Sequence, residues 1–142
     1  MKKVLFLGLV CLLVLPMVMA GCGSGTKTTM NFTLEDFAAQ NNITKNITVS
    51  PHGIITLTLG SNGSTGYQWG DAVIDNAEQL EQTSHNVIAA TQADLAGAPG
   101  KETFTFMAKI AGSATIKLSY DRPWEGGEKG TYTLTINVTI KV

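Results

Sequence analysis

The sequence has few of the residue types from which catalytic and metal sites are built. Its 142 residues contain two cysteines, Cys11 and Cys22, and two histidines, His52 and His85. Both cysteines lie near the N-terminus, so we predict neither a disulfide nor a cysteine nucleophile in the rest of the chain. Neither histidine has a cysteine nearby or the i,i+4 partner and acid of a zinc helix. We therefore predict no catalytic residues, no metal and no cofactor, and an enzyme is the least expected class.

An excess of charge of one sign is also lacking. The chain has 10 basic and 11 acidic residues, a net charge of −1. Nucleic-acid-binding proteins need a basic stripe, so we predict no nucleic-acid partner. Three acids, Asp71, Asp75 and Glu78, could form a calcium cluster, but their spacing lacks the loop glycine and the terminal Glu of such a site, and a solvated connector is favoured.

The N-terminus is the one long hydrophobic run. A basic start, Met1–Lys3, precedes the apolar segment Val4–Ala20, and small residues stand before Cys22. This pattern predicts a lipoprotein signal peptide over residues 1–21, a lipidated Cys22 opening a flexible tether over residues 22–30, and one domain over residues 31–142. The chain would then be exported and lipid-anchored in the cell envelope or at the cell surface. The alternatives are a secreted protein cut after Ala20 or Gly21, and an uncleaved anchor.

Alternation of apolar and polar residues dominates the domain. Every second residue from Tyr132 to Val142 is apolar, and threonines fill most of the other positions. A period of two predicts half-buried strands, here at 131–142, 114–120, 103–110 and 55–59, with weaker strands at 43–49, 67–69 and 80–90. About seven short strands predict an all-β, immunoglobulin-like sandwich in which Trp69 and Tyr120 are core residues. Residues 33–40 could be a short helix capped by Thr33 or an edge segment.

Three polar or glycine-rich segments separate these strands: Ser61–Trp69, Gly97–Lys101 and Tyr120–Gly126. The middle one is similar to a phosphate-binding loop, but Glu102 stands where Ser or Thr should bind magnesium, so we exclude a nucleotide site. In the third, Trp124 beside Arg122 is the composition of an interface hot spot, although the tryptophan could instead fold back over the sandwich. We predict that the three loops lie at one end of the sandwich and form a binding surface.

The loops carry a family resemblance that covers about residues 48–142. Asn62-Gly63-Ser64-Thr65-Gly66-Tyr67-Gln68-Trp69 resembles the N-P-T-T-G-[YF]-x-W segment of chagasin-like inhibitors. The stretch 96–101 resembles their middle loop, and Arg122-Pro123-Trp124-Glu125 their R-P-W-x loop. The sequence departs from the family pattern at Gly63, where the family has proline, and at Ser64, where it has threonine.

The resemblance implies reversible, competitive inhibition of papain-like cysteine peptidases by a monomer. The first loop would enter the cleft over the catalytic Cys–His pair, and the other two would grip either side. The residues implied are those of the first loop (Asn62, Gly63, Ser64, Thr65, Gly66), the middle loop (Gly97, Ala98, Pro99, Gly100) and the third loop (Arg122, Pro123, Trp124). The alternative is an immunoglobulin-like adhesion or envelope-binding lipoprotein with no peptidase target.

Overall fold

The structure is a computed structural model that describes residues 25–90 and 99–142. Within them it contains nine strands and one α-helix: β1 (Lys27–Phe32), α1 (Leu34–Ala39), β2 (Asn42–Val49), β3 (Ile54–Ser61), β4 (Gln68–Trp69), β5 (Val73–Ile74), β6 (Leu80–Ile88), β7 (Gly100–Ala108), β8 (Gly112–Asp121) and β9 (Tyr132–Ile140). The seven predicted strands are all present. The predicted signal peptide and Cys22 lie outside the described residues.

The strands form two sheets, as the alternation predicted. The first has the order β1-β3-β7-β6 and the second β2-β9-β8-β4, with β5 also paired to β8. Buried residues alternate along β3, β7, β8 and β9, and the two inner faces supply one core. Trp69 and Tyr120 belong to that core, as expected. Among the residues that the structure describes, the buried core residues lie between Phe32 and Ile140, so a chain that starts at residue 23 keeps all nine strands.

Two strands were missed by the sequence analysis, and one of them corrects the domain boundary. Residues 27–30, assigned above to a flexible tether, are part of β1, which pairs in parallel with β3. Thr28, Met30 and Phe32 share the inner face, but only Phe32 is buried and only two of the three are apolar, so the alternation is too short to reveal a strand in sequence. The two-residue strand β5 is too short to leave a pattern.

Helix α1 resolves the ambiguity over residues 33–40. Thr33 and Asp36 form a capping box, in which the Thr33 hydroxyl accepts from the Asp36 N–H at 3.2 Å and the Asp36 carboxylate accepts from the Thr33 N–H at 2.8 Å. The latter bond lowers the pKa of Asp36. Phe37 is fully buried, with its ring centroid 4.9 Å from that of Trp69. The helix therefore closes the core where the chain crosses from one sheet to the other.

The strand directions define two ends of the sandwich. Strand β3 runs towards residues 62–66 and β8 runs towards residues 122–131, and we call this the loop end. Strand β1 is parallel to β3, so Lys27 lies at the opposite end, with the turn at residues 50–53 and the turn between β7 and β8. No helix in residues 25–90 and 99–142 is long and apolar enough to cross a membrane.

Candidate functional site

The described parts of the three predicted loops lie together at the loop end. Ser61, the last residue of β3, pairs with Gly100, the first residue of β7, so the first loop begins beside the end of the middle loop. On the other side, Gln68 pairs with Asp121, from which the third loop departs. The first loop therefore stands between the other two. Of the middle-loop residues, Pro99 and Gly100 are described, whereas Gly97 and Ala98 lie outside the described residues.

The first loop is a compact turn held by its own hydrogen bonds. Residues Gly63–Thr65 form a single 3-10 turn. The Ser64 hydroxyl donates to the Asn62 side-chain oxygen at 2.6 Å, and the Thr65 hydroxyl donates to the Asn62 carbonyl at 2.6 Å. At its base, the Asn62 N–H donates to the hydroxyl of the core residue Tyr120 at 2.8 Å. Ser64 and Thr65 are exposed, so the loop presents their hydroxyl oxygens to solvent.

Gly66 ends this turn in a conformation that favours glycine. Its φ is +80°, in the left-handed region. A Cβ at Gly66 would lie 2.4 Å from the Trp124 ring, closer than real atoms approach. The first and third loops are thus in direct contact, and the absence of a side chain at residue 66 makes that contact possible.

The third loop is fixed by bonds across its base. The Arg122 N–H donates to the Glu128 carbonyl at 2.9 Å, and the Gly127 N–H donates to the Trp124 carbonyl at 3.0 Å. The Lys129 ammonium donates to the Arg122 carbonyl at 2.6 Å. These bonds hold the Arg122-Pro123-Trp124 segment in one shape and leave the Trp124 side chain 52% exposed. The tryptophan is therefore presented at the surface and is not folded into the core.

Aromatic and charged side chains connect the third loop to Tyr67, which lies between the first loop and β4. The Arg122 guanidinium lies 4.5 Å from the centroid of the Tyr67 ring and 5.9 Å from that of Trp124, within cation–π range. The Tyr67 hydroxyl donates a hydrogen bond to the Glu128 carboxylate, and this bond raises the pKa of Tyr67. Tyr67, Arg122 and Trp124 thus form one layered group between the two loops.

A buried carboxylate that the sequence analysis did not single out lies beneath the first loop. Glu102 is 1% exposed and contacts residues on either side of the loop, Ser61 and Trp69, and also His85. The signal was present in the sequence, because the apolar alternation of Phe104, Phe106 and Ala108, extended back by two, puts Glu102 on the buried face.

The acidic residues that the structure describes do not form a metal site. Within the described part of the chain, no group of three or more His, Cys, Asp or Glu side chains could hold a metal ion. Asp75, one of the acids considered above, instead accepts from the Thr115 N–H at 2.7 Å, which lowers its pKa. The described part of the loop end offers an exposed surface that is held by hydrogen bonds and presents the side chain of Trp124.

Comparison with known proteins identifies the family. The profile of the Chagasin family peptidase inhibitor I42 matches residues 48–137, more than half of the chain. The chain belongs to the chagasin family of peptidase inhibitors. The family consists of inhibitors, so this protein is not an enzyme, as the sequence predicted.

Two relatives illustrate the similarity in sequence. Amoebiasin-2 of Entamoeba histolytica is 32% identical over 95 residues, which cover 66% of this chain and 75% of the relative. Chagasin of Trypanosoma cruzi is 29% identical over 92 residues, which cover 63% of this chain and 84% of the relative. The matches therefore span most of the length of both relatives.

Solved structures show the same fold. The cysteine protease inhibitor EhICP2 from Entamoeba histolytica superposes with a TM-score of 0.63 at 24% identity, covering 81% of this chain and 97% of that one. PbICP-C, solved in complex with falcipain-2, gives a TM-score of 0.57 at 18% identity, with coverages of 82% and 99%. The predicted immunoglobulin-like β-sandwich is confirmed.

Proposed function

We propose that this protein is a reversible, competitive inhibitor of papain-like cysteine peptidases, and that its three loops fill the active-site cleft. The observation that carries the proposal is the contact between Trp124 and Gly66, which joins the first and third loops into one exposed surface. A peptidase cleft is a groove, and a narrow turn flanked by two broader loops has the complementary shape. The family of the chain consists of peptidase inhibitors, and the structurally similar EhICP2 is a cysteine protease inhibitor, which supports this target class.

The first loop is suited to occupying a cleft without being cut. Its turn is closed by the hydrogen bonds to Asn62, whereas a peptide bound along a cleft as a strand is extended. The hydroxyl hydrogens of Ser64 and Thr65 are used inside the loop, so their oxygens remain as acceptors for donors of the peptidase. A Cβ at Gly63 would meet nothing within 4 Å, and its absence lets the backbone approach a partner closely.

The third and middle loops would contact the peptidase on either side of the cleft. Trp124 offers a large apolar ring whose position is already fixed, so little conformational freedom is lost on binding. Arg122, stacked on Tyr67, would pair with an acidic group of the peptidase. On the other flank, Pro99 and Gly100, with Gly97 and Ala98, would form the third contact.

Inhibition kinetics test the proposal. Residues 23–142 are titrated against papain and a lysosomal-type cathepsin with a small peptide substrate. We expect competitive inhibition at nanomolar to low-micromolar concentration, full recovery of activity after dilution, and an uncut inhibitor by mass spectrometry. Folded protein that leaves both enzymes active at high micromolar concentration would exclude this function and favour the adhesion alternative.

We also propose that the protein is exported and lipid-anchored through Cys22. The basic start, apolar run and small residues before Cys22 support the anchor. Lys27, five residues later, begins β1 at the end opposite the loops, so an anchored chain would direct its inhibitory surface away from the membrane. In a host that processes lipoproteins, we expect labelled palmitate on the wild type and none on Cys22→Ala. Equal labelling of the two proteins would contradict the anchor.

A further inference from the structure

Glu102 is a buried acid that no step of the proposed inhibition uses. One carboxylate oxygen, Oε1, accepts from the Ser61 hydroxyl at 2.6 Å and from the Trp69 N–H at 3.1 Å. The other, Oε2, lies 2.8 Å from His85 Nε2. An ionised carboxylate has only acceptor sites and is costly to bury without donors. Two donors, and a histidine nitrogen that donates when it carries the ring proton, surround this buried carboxylate and indicate a position that selects an acid.

We propose that Glu102 is a positioning residue for the inhibitory surface, and that the His85 ring shields the Glu102 carboxylate from water. Ser61 directly precedes the first loop and Trp69 lies three residues beyond its end, so one carboxylate fastens both stems of the loop. The inference rests on the proposed function for its consequence in inhibition. The fastening of the stems is a property of the free protein and can be measured without a peptidase.

The surroundings explain why His85 is suited to this position. Its ring stacks on the buried Phe104, with 3.9 Å between ring centroids, and it is only partly exposed. Its Nδ1 lies 3.9 Å from an Asp71 carboxylate oxygen at the surface. The ring thus separates the buried carboxylate from water and donates to it from the side that the loop stems leave open.

Two substitutions of Glu102 separate the roles of its two carboxylate oxygens. In Glu102→Ala, the Trp69 N–H and the Ser61 hydroxyl lose their acceptor, so both stems are released. In Glu102→Gln, the amide oxygen still accepts from Ser61 and Trp69, while the amide nitrogen faces His85 Nε2. That nitrogen must then be unprotonated, with the ring proton on Nδ1 towards Asp71. Glu102→Gln should therefore preserve the loop and change the histidine tautomer.

Three measurements on residues 23–142 test the role. By amide exchange followed by NMR, we expect Trp69 and the first loop to exchange at least tenfold faster in Glu102→Ala and within threefold of wild type in Glu102→Gln. Nitrogen NMR at pH 8 should show a protonated His85 Nε2 in the wild type and an unprotonated one in Glu102→Gln. Against papain, Glu102→Ala should lose at least tenfold in affinity, and Glu102→Gln less than threefold.

Leu80→Ala is the control for general loss of stability, because Leu80 is buried at the opposite end of β6. If Leu80→Ala speeds first-loop exchange as much as Glu102→Ala for a similar fall in melting temperature, the positioning role is overturned. If Glu102→Ala does not fold, Ser61→Ala, which removes one of the two stem bonds, must still speed exchange in the loop, or the proposal fails. A wild type that does not inhibit papain would refute the proposed function, while the exchange data would still decide the role of Glu102.

Discussion

The two ends of the sandwich differ in the share of their hydrogen bonds that side chains form. At the end opposite the loops, most of these bonds join backbone groups: the His52 N–H donates to the Ala108 carbonyl at 2.8 Å and the Ala108 N–H to the Gly53 carbonyl at 2.9 Å. Side chains contribute one reciprocal pair there, in which the Ser50 hydroxyl accepts from the Thr26 N–H and the Thr26 hydroxyl from the Ser50 N–H. At the loop end, side chains form many of the hydrogen bonds that hold the backbone. Asn62 is held by the Tyr120 hydroxyl, and the Arg122 carbonyl by the Lys129 ammonium.

Because of this difference, a substitution can change the shape of the loop surface with little effect on the stability of the fold. Backbone bonds survive most substitutions, since every residue except proline supplies the same donor and acceptor. A loop held by side chains changes shape when one of those side chains is replaced. We therefore expect single substitutions at the loop end to alter inhibition more than stability, and comparable substitutions at the opposite end to leave inhibition unchanged.

The largest effect is expected from Trp124→Ala, matched with Ile110→Ala. The two side chains are about equally exposed, 52% and 54%, but Ile110 lies in the turn between β7 and β8 at the opposite end. An aromatic hot spot contributes about 2 to 4 kcal/mol, so Trp124→Ala should weaken papain inhibition at least ~30-fold with a small change in melting temperature. Ile110→Ala should leave inhibition unchanged. Equal effects of the two variants would remove the distinction between the ends.

Gly66→Ala should have the next largest effect, and Gly126→Ala is its control. Both glycines have positive φ, so alanine costs about 1–2 kcal/mol in either place. Only at Gly66 does the new Cβ meet the Trp124 ring, whereas Gly126 has open space. We expect both variants to lose similar stability, and Gly66→Ala alone to lose about tenfold in affinity because the ring must move. Similar inhibition by both variants would show that the contact of the two loops is unimportant.

Gly63→Pro should strengthen inhibition. Gly63 is the first residue of the 3-10 turn, a position where proline is favoured, and a Cβ there meets nothing within 4 Å. Restricting the free loop is worth about 0.4–1 kcal/mol, a gain of about two- to fivefold in affinity. The gain should appear when association and dissociation rates are measured by surface plasmon resonance, with Gly63→Ala giving a smaller change. Unchanged or weaker binding by the proline variant would contradict this loop geometry.

The sequence predicts the features of the fold that depend on burial, and it does not predict those that depend on bonds between distant residues. Alternation along β3, β7, β8 and β9 reflects burial on one face, which sequence records directly, and the motifs around Gly66 and Trp124 marked the loops. The pairing of β1 with β3 depends on contacts far apart in sequence, and β1 has one buried residue, Phe32. The bonds of Glu102 to Ser61 and of Tyr67 to Glu128 join residues 41 and 61 positions apart, so no local pattern could reveal them.

Titration of Tyr67 provides a smaller test of the difference between the two ends of the sandwich. A hydrogen bond between ionisable side chains depends on pH, whereas a backbone hydrogen bond does not. The bond to Glu128 raises the pKa of Tyr67, so the folded protein retains a proton that the unfolded chain releases at about pH 10. The bond therefore stabilises the fold fully below about pH 10, and its contribution is lost as the pH rises through the higher pKa of the folded state. Between pH 9 and 11, urea unfolding should show the wild type losing its advantage over Tyr67→Phe. A constant difference between the two proteins across that range would mean that the Tyr67–Glu128 bond does not brace the third loop.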